Sequence, residues 1–243
     1  MVTKVKLDYI NRLIDECLSE DHESLELKGK FIGDEGLEAL TQCDRLESVE
    51  DLDLARNKLT HRGMPFLANC IHLKKIKRLY IGDNDIGDKG AIALSKASYT
   101  AQLLQFDLRV NNIGPSGGLA IVQGDFSRLQ ALILQDNNVE DETLITLAKS
   151  SNFVNLRKLN FYRTKITDKG IQALAKSKIL KKVKHLNIAR NILRVDAALA
   201  LAKTKTMINI ETLLMFDTFI GDKGVKAMLE SEGLSKLKTL RLT

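Results

Sequence analysis

The chain has 243 residues, of which 44% are hydrophobic and 28% are charged, fractions that are ordinary for a folded domain. No apolar run approaches the roughly 18 residues needed to cross a bilayer, and the polar residues after Lys6 argue against a signal peptide, so we expect neither. The net charge of +6 is uneven: residues 1–60 carry −7 (8 Lys/Arg, 15 Asp/Glu) and residues 61–243 carry +13 (29 Lys/Arg, 16 Asp/Glu), a polarity suited to orienting a partner.

The first element that the sequence predicts is an amphipathic helix over residues 3–20. Its apolar face comprises Val5, Leu7, Ile10, Leu13, Ile14, Cys17 and Leu18. We expect residues 1–21 to form a helix that caps the structure following it. A membrane anchor is the alternative, but the polar face carries charges of both signs, which disfavours an anionic lipid surface, so we expect no membrane partner.

From residue 22 onward the chain repeats itself every 27 residues. The segment that begins at Val49 is repeated from Ile76, and the frame recurs to the end with one shorter step of 26 residues after Leu103. A fixed period of this length predicts a solenoid, in which neighbouring repeats cover one another's apolar faces. Residues 22–243 are predicted to hold eight full repeats and one terminal strand.

Each repeat opens with Leu-x-x-Leu-x-Leu, which predicts a short strand with one open face. In the second repeat, Leu52 and Leu54 point inward, whereas Asp51 and Asp53 point outward. An asparagine follows most strands, where its buried amide can satisfy backbone groups as the chain leaves the sheet. These asparagines are Asn57, Asn84, Asn111, Asn137 and Asn191. Other residues at this position, such as Thr164, are expected to weaken the ladder locally.

A Gly-Asp-x-Gly or Thr-Asp-x-Gly segment comes next and predicts the start of a helix. Its aspartate is expected at the N-cap, where the carboxylate accepts hydrogen bonds from the first N–H groups. These aspartates are Asp34, Asp88, Asp168 and Asp222. The order strand, turn, helix, turn predicts parallel strands on one side of the stack and helices on the other. Because helices are wider than strands, the strands should line the concave wall.

Cys43 and Cys70 are 27 residues apart and occupy the same position of neighbouring repeats. Later repeats place other small residues there: Ala97, Gly124, Ser150, Ser177, Thr204 and Ser231. We interpret the column as a packing position for small side chains and not as a disulfide. Three cysteines, an odd number, and no export signal predict a reducing, cytoplasmic environment.

The pattern Leu-x-x-Leu-x-Leu-x-x-Asn, followed by (Ile/Leu)-Gly-Asp-x-Gly-x-x-Ala-Leu, is clearest from Ile76 to Leu94. It resembles the leucine-rich repeat family, and within it the ribonuclease-inhibitor-like subfamily, over residues 22–243. The resemblance implies an α/β solenoid shaped like a curved horseshoe, with parallel strands on the concave face and helices on the convex face. It also implies non-catalytic binding of a partner protein on the concave face, by an adaptor or by an effector that a bacterial pathogen delivers into a host cell.

The outward strand positions are free to vary, so we expect them to determine which partner is bound. Aromatic and arginine side chains dominate the energetics of protein interfaces. The predicted partner-binding residues are Tyr80, Arg109, Ile133, Tyr162, Arg163, Arg190, Leu214 and Phe216. For each of them the alternative is an ordinary surface side chain, since isolated exposed apolar groups are common.

A GTPase-activating or GTPase-regulating role is the main alternative function. Arg56, Arg163 and Arg190 are predicted to lie just after strands, where an arginine could reach a bound nucleotide. A nucleic-acid partner would use the basic run from Lys178 to His185, but few aromatic groups accompany it, so we expect none.

No catalytic residue, metal ligand or cofactor-binding residue is predicted. The four histidines have no Cys or His at metal-binding spacing. The chain contains no phosphate loop, dinucleotide fingerprint or Gly-x-Ser-x-Gly segment. We therefore expect neither enzymatic activity nor a cofactor.

The last predicted strand is built on Leu237, Leu240 and Leu242, and no polar closing element follows it. An exposed apolar edge strand promotes pairing with another chain. We therefore expect either self-association through the C-terminal strand or a longer protein of which this chain is a fragment.

Overall fold

A computed structural model of the protein describes residues 2–242; Met1 and Thr243, which the predicted domains include, lie outside the described residues. The helices are α1 (Lys4–Cys17), α2 (Gly33–Leu40), α3 (Met64–Ala68), α4 (Gly87–Leu94), α5 (Pro115–Gln123), α6 (Glu140–Leu147), α7 (Asp168–Ala175), α8 (Val195–Ala202) and α9 (Gly221–Leu229). The strands are β1 (Ser24–Glu26), β2 (Asp51–Asp53), β3 (Arg78–Tyr80), β4 (Gln105–Asp107), β5 (Ala131–Ile133), β6 (Lys158–Asn160), β7 (His185–Asn187), β8 (Thr212–Leu214) and β9 (Thr239–Arg241).

The strands pair in chain order, from β1 to β9, in one parallel sheet. The register is constant, so the central residue of each strand faces its equivalent in the next repeat, as Leu52 faces Leu25 and Leu79. Packed helices need about 8–10 Å and paired strands about 4.8 Å, so the strand side is the shorter, concave side of the stack. The predicted α/β leucine-rich repeat solenoid is confirmed, with parallel strands on one side and helices on the other.

Helix α1 lies at the amino-terminal end of the stack, where it packs against α2. Ile10 and Ile14 are buried in this contact region, but Val5 is 80% exposed and Leu7 is 40% exposed. The predicted place of Val5 on the apolar face is therefore wrong, whereas Leu7 lies along that face but is only partly covered. At 100° per residue, Val5 falls well away from the stripe that runs through Ile10 and Ile14. The contact with α2 is the one that a cap requires, and the capping role itself stays a prediction.

The hydrophobic core runs along the stack between the strands and the helices. Near its middle, the ring centroid of Phe126 lies 5.7 Å from that of Phe106 and 5.8 Å from that of Phe153. These phenylalanines are buried, with at most 1% of their surface exposed. Phe126 belongs to the repeat that is one residue shorter than the others, so the aromatic stack spans the one irregular step of the solenoid.

The asparagine ladder is present as predicted, and each amide joins two repeats. Asn137 is buried, and its Oδ1 accepts hydrogen bonds from the backbone N–H groups of Asn111 (3.1 Å) and Ile113 (3.0 Å). Its Nδ2 donates to the carbonyls of Leu108 and Leu134, both at 2.9 Å. The side chain thus satisfies backbone groups of the preceding repeat as well as its own, which ties together the turns after successive strands.

The aspartates at the helix starts do not cap their own helices, so that part of the prediction is wrong. Asp88 is the second residue of α4, and its Oδ1 accepts hydrogen bonds from the N–H groups of Gly114 (2.6 Å) and Gly117 (2.9 Å) at the start of α5. Asp141 likewise accepts from the N–H of Thr167 (2.8 Å) at the start of α7. Adjacent helices begin at the same level, so a carboxylate in one first turn reaches the unpaired N–H groups of the next helix.

The column of small residues that includes Cys70 also caps helices, a role that the sequence did not reveal. Cys70 Sγ donates to the carbonyl of Thr41 (3.4 Å), and Ser177 Oγ donates to the carbonyl of Ala148 (2.6 Å). Each carbonyl lies at the end of the helix in the preceding repeat. Cys70 and Ser177 are buried, as a packing column requires, and the cysteines of the described chain are all free thiols.

Candidate binding face

The candidate site is the strand face. Each strand presents its first and third residues there, together with the second residue after the end of the strand. Most of the predicted partner-binding residues are accessible on this face or in the turns just after its strands. They are Tyr80, Arg109, Tyr162, Arg163, Arg190, Leu214 and Phe216. The aromatic and leucine side chains among them are half-buried and the arginines are exposed, so they offer apolar area and charge together.

Ile133 is the exception, because only 3% of its surface is exposed. It is the third residue of β5 and faces Asp107 of β4 and Asn160 of β6 across the sheet. Side chains on the concave side of a curved sheet converge, so an aliphatic group in the middle of the face is covered by its neighbours. The prediction that Ile133 is an exposed contact is therefore wrong.

The half of the face formed by β1–β5 neutralises much of its own charge. Arg78 pairs with Asp51, and Arg109 pairs with the buried Asp107. Arg109 also lies across Gly82, where an added Cβ would come within 2.9 Å of the arginine Cγ. The predicted anchor Arg109 is thus held by a carboxylate of its own chain, and less of its charge is available to a partner.

The other half of the face carries a cluster of Tyr162, Arg190, Phe216 and Arg241, which we call the aromatic–arginine cluster. The ring centroids of Tyr162 and Phe216 lie 6.2 Å apart. The guanidinium carbon of Arg190 lies 5.8 Å from the centre of the Tyr162 ring, and that of Arg241 lies 5.7 Å from the centre of the Phe216 ring. Aromatic and cation–π contacts of this kind stabilise a fixed arrangement by about 0.5–1.5 kcal/mol each. The structure therefore brings three of the predicted residues together in one ordered group.

Towards the amino ends of the same strands, the face has a depression of about 540 Å³. Its lining includes Lys158 and His185 at the strand starts, and Asn160, Asn187 and Leu214 at the strand ends. Lys158 and His185 are exposed, and the ion pairs formed within residues 2–242 include neither of them. This end of the depression therefore presents cationic and donor groups whose charge is not neutralised by a neighbouring carboxylate.

Two exposed apolar residues that the sequence analysis missed border the aromatic–arginine cluster. Ile192 is 49% exposed and Phe219 is 70% exposed, and they follow Arg190 and Phe216 along the chain by two and three residues. We call Ile192 and Phe219 the apolar rim. Most other repeats place a polar residue at this position, as at Lys165. An apolar residue at a repeat position that is otherwise polar was the signal that could have identified them.

Each arginine that a GTPase-activating role would use forms an ion pair with an aspartate of a neighbouring repeat. The pairs are Arg56–Asp83 (2.9 Å), Arg163–Asp136 (3.3 Å) and Arg190–Asp217 (2.8 Å). An arginine that stabilises a transferred phosphoryl group must offer its charge to that group. The pairing weighs against the GTPase-activating alternative.

The loops before β7 and β9 form a basic edge next to the depression. It consists of Lys182, Lys184, Lys236 and Lys238. Lys182 Nζ donates to Asn155 Oδ1 and Lys236 Nζ donates to Asn209 Oδ1, both at 2.7 Å. Carboxamides are neutral acceptors, so these two lysines are held in place without losing their positive charge.

Glu211 lies between two lysines of this edge, with Oε1 and Oε2 each 2.6 Å from the Nζ of Lys184 and Lys238 respectively. These hydrogen bonds lower the pKa of Glu211 from the usual 4.5 to about 2. A carboxylate whose pKa is lower in the folded state stabilises the fold above pH 4.5, and this stabilisation is lost as the pH falls towards 2.

We expect the Glu211→Gln variant to be less stable than the original chain at pH 5 and this difference to shrink as the pH falls towards 2. Urea unfolding of both proteins at several pH values measures the difference, and other carboxylates cancel because both proteins share them. Glu232→Gln, a change at an exposed carboxylate, serves as the control and should show no such trend. A stability difference that stays constant with pH would contradict the assignment.

Among residues 2–242, no three His, Cys, Asp or Glu side chains come together in a way that could hold a metal ion. None of the helices in this part of the chain combines the length and the apolar character needed to cross a membrane.

Comparison with known proteins supports the fold. A family model described as "Leucine Rich repeat" matches residues 72–95 and 154–175. The chain is similar to the solved yeast structure titled "Crystal structure of Rad7 and Elc1 complex in yeast", with 14% identity, a TM-score of 0.54, and coverage of 96% of this chain and 71% of that chain. In total 117 solved chains match, so this likeness establishes a widely shared fold and nothing more specific. No curated protein matches the chain by sequence.

Proposed function

We propose that this leucine-rich repeat protein is a non-catalytic protein–protein interaction module that binds a partner protein on its concave strand face. The observation that carries the proposal is the aromatic–arginine cluster of Tyr162, Arg190, Phe216 and Arg241. It combines accessible aromatic rings with guanidinium groups at a fixed place on an open face. Residues of these types contribute most of the binding energy in protein interfaces.

The geometry favours the half of the face around β6–β9 over the half around β1–β5. Arginines pair with carboxylates of the same chain in both halves, as Arg109 does with Asp107 and Arg190 with Asp217, so the accessible apolar groups distinguish the halves. In the second half, Tyr162, Leu214 and Phe216 are accessible and lie beside an open depression. The proposed contacts are therefore Tyr162, Arg190, Leu214 and Phe216, with Tyr80, Arg109 and Arg163 in supporting positions.

Three finer proposals concern the type of repeat, the cellular location and the role of the protein. We propose a ribonuclease-inhibitor-like repeat, supported by the α-helix in most of the 27-residue units. We also propose a cytoplasmic protein, acting as an adaptor or as an effector inside a host cell, supported by its free thiols. Self-association through β9 stays a prediction, which sedimentation over a range of concentrations would test.

The test of the proposed face is a double substitution, Tyr162→Glu with Phe216→Glu. Two buried carboxylates in place of two aromatic anchors should weaken binding at least tenfold, since each anchor contributes more than about 1 kcal/mol. The intact chain and the variant are immobilised, and proteins captured from a cell extract are quantified by mass spectrometry. Circular dichroism confirms that the variant is folded.

The matched control is Phe66→Glu with Ile71→Glu, which makes the same change of charge at exposed apolar residues in and after α3, away from the strand face. The control should retain every protein that the intact chain captures. If the Tyr162/Phe216 variant captured the same proteins in the same amounts, the assignment of the strand face would be wrong.

A further inference from the structure

We infer that the partner presents an acidic, amphipathic segment that lies across β6–β9, with its carboxylates towards the amino ends of the strands and its apolar side chains towards their carboxyl ends. This inference rests on the proposed function and specifies the chemistry of the partner at that same face. It follows from the distribution of charge, from the neighbours of the lysines and from the direction of the strands.

The net positive charge of the chain lies in the part that contains this half of the face. Residues 151–243 contain 19 Lys/Arg and 7 Asp/Glu, a balance of +12, whereas residues 1–150 contain 18 Lys/Arg and 24 Asp/Glu, a balance of −6. Charge complementarity across an interface increases the association rate and suppresses partners of the same sign. A partner that binds over β6–β9 is therefore expected to be acidic.

The basic side chains nearest to the depression are not paired with carboxylates. Lys158 and His185 pair with no carboxylate within residues 2–242, and Lys182 is held by the neutral carboxamide of Asn155. In the first repeats this edge is partly neutralised, since Glu47 accepts from Lys74 at 2.7 Å and Glu50 accepts from Lys77 at 2.6 Å. At the amino ends of β6–β9, available positive charge is thus carried by Lys158, Lys182 and Lys236, whereas Lys184 and Lys238 share Glu211.

The parallel order of the strands separates this charge from the apolar groups. Every strand of β6–β9 runs in the same direction, so the residues before and at the strand starts form one row and the residues after the strand ends form another. The first row contains Lys158, His185 and the basic edge. The second row contains Tyr162, Phe216 and the apolar rim of Ile192 and Phe219.

The spacing between the two rows suits a single amphipathic segment. Lys158 begins β6 and Tyr162 lies two residues after its end, so the two are four residues apart, about 13 Å for an extended chain. That distance is close to the diameter of an α-helix with its side chains, about 10–12 Å. From β6 to β9 the face spans three strand spacings, about 14 Å, or about ten residues of helix. A helix of the partner can therefore rest on the depression with an acidic side on one row and an apolar side on the other.

The apolar row is what favours a protein segment over a nucleic acid. A nucleic acid would use the same lysines and would need bases stacked on aromatic side chains. Here the exposed groups that follow the Tyr162 and Phe216 strands include the aliphatic Ile192, on which a base cannot stack, beside the exposed Phe219. Apolar side chains of a protein would bury this surface.

The test is selection from a displayed library of random linear peptides of about 15 residues, long enough to cover the face as a helix. The full chain is the target, and the selected peptides are measured against it and against two folded variants. One is Tyr162→Glu with Phe216→Glu, and the other is Lys158→Glu with Lys182→Glu. Selected peptides should be rich in Asp and Glu with apolar residues at helical spacing. Each variant should weaken the binding of these peptides at least tenfold. For the lysine variant, the loss of binding should be larger at low salt.

The other outcomes show whether this inference fails alone or together with the proposed function. Peptides that need Tyr162 and Phe216 but carry no excess of acidic residues, and bind the lysine variant equally well, would overturn this inference and leave the proposed function standing. Peptides that bind all variants equally would overturn both. A library that yields no peptide with preference for the intact chain would also reject the inference of a linear acidic segment. Binding of a single-stranded oligonucleotide that is lost in the lysine variant and kept in the aromatic variant would assign the basic row to nucleic acid instead.

Discussion

Replacing Phe126 by alanine is expected to lower the free energy of unfolding by about 3–5 kcal/mol, the loss typical of a fully buried phenylalanine. The ring is buried and stacks between Phe106 and Phe153 at centroid distances of 5.7 and 5.8 Å. Its removal takes apolar surface out of the core and leaves a cavity between two other rings. Because neighbouring repeats in a solenoid stabilise one another, the loss should destabilise the repeats on both sides.

Urea unfolding followed by circular dichroism measures this effect, with Phe219→Ala as the matched control. Phe219 is the same residue type but is 70% exposed, so its replacement should change the free energy of unfolding by no more than about 0.5 kcal/mol. If the two variants unfolded at the same urea concentration, the aromatic stack would not be part of the stabilising core.

Replacing Asn137 by alanine is expected to cost about 3 kcal/mol, although the change removes little apolar surface. The amide satisfies the N–H groups of Asn111 and Ile113 and the carbonyls of Leu108 and Leu134. A buried polar group that loses its partner costs about 1–3 kcal/mol, and part of that loss is recovered where water can enter. The turn after β5 and the turn after β4 are both expected to loosen, because this amide joins them.

The same unfolding experiment measures this loss, and amide hydrogen exchange locates it. Exchange should become faster at Asn111 and Ile113, whose N–H groups lose their acceptor. Asn69→Ala is the control, since the Asn69 side chain is exposed and donates only to the carbonyl of Pro65, so about 1 kcal/mol or less is expected. Equal effects of the two substitutions would show that the ladder is not a main source of stability.

Much of the fold could be predicted from the sequence because the solenoid repeats local patterns. The alternation of Leu52 and Leu54 with Asp51 and Asp53 has the period of a strand, and the sequence interval of 27 residues places equivalent residues side by side. The asparagine column was predicted for the same reason. A side chain that recurs in register must serve the same purpose in most repeats.

The candidate site was predicted only in part, because its properties depend on side-chain direction and on neighbours. Tyr162, Arg190 and Phe216 were predicted singly, but nothing in the sequence showed that their side chains meet. Ile133 follows the same pattern as other outward residues and is nevertheless covered. Ile192 lies outside the strand columns, so the outward positions of the strands do not include it.

The sequence by itself determined the period, the inward and outward faces of the strands, and the positions of the helices, because these depend on residue types at fixed local spacing. Only the tertiary structure decided which partners those residues take: Asp88 caps the next helix and not its own, and Arg109 is held by Asp107. Such pairings depend on the rotamer of each side chain and on distances of a few ångströms, which often join residues of different repeats. A linear pattern fixes the order of the residues along the stack and leaves the rotamers, and hence the contacts, undetermined.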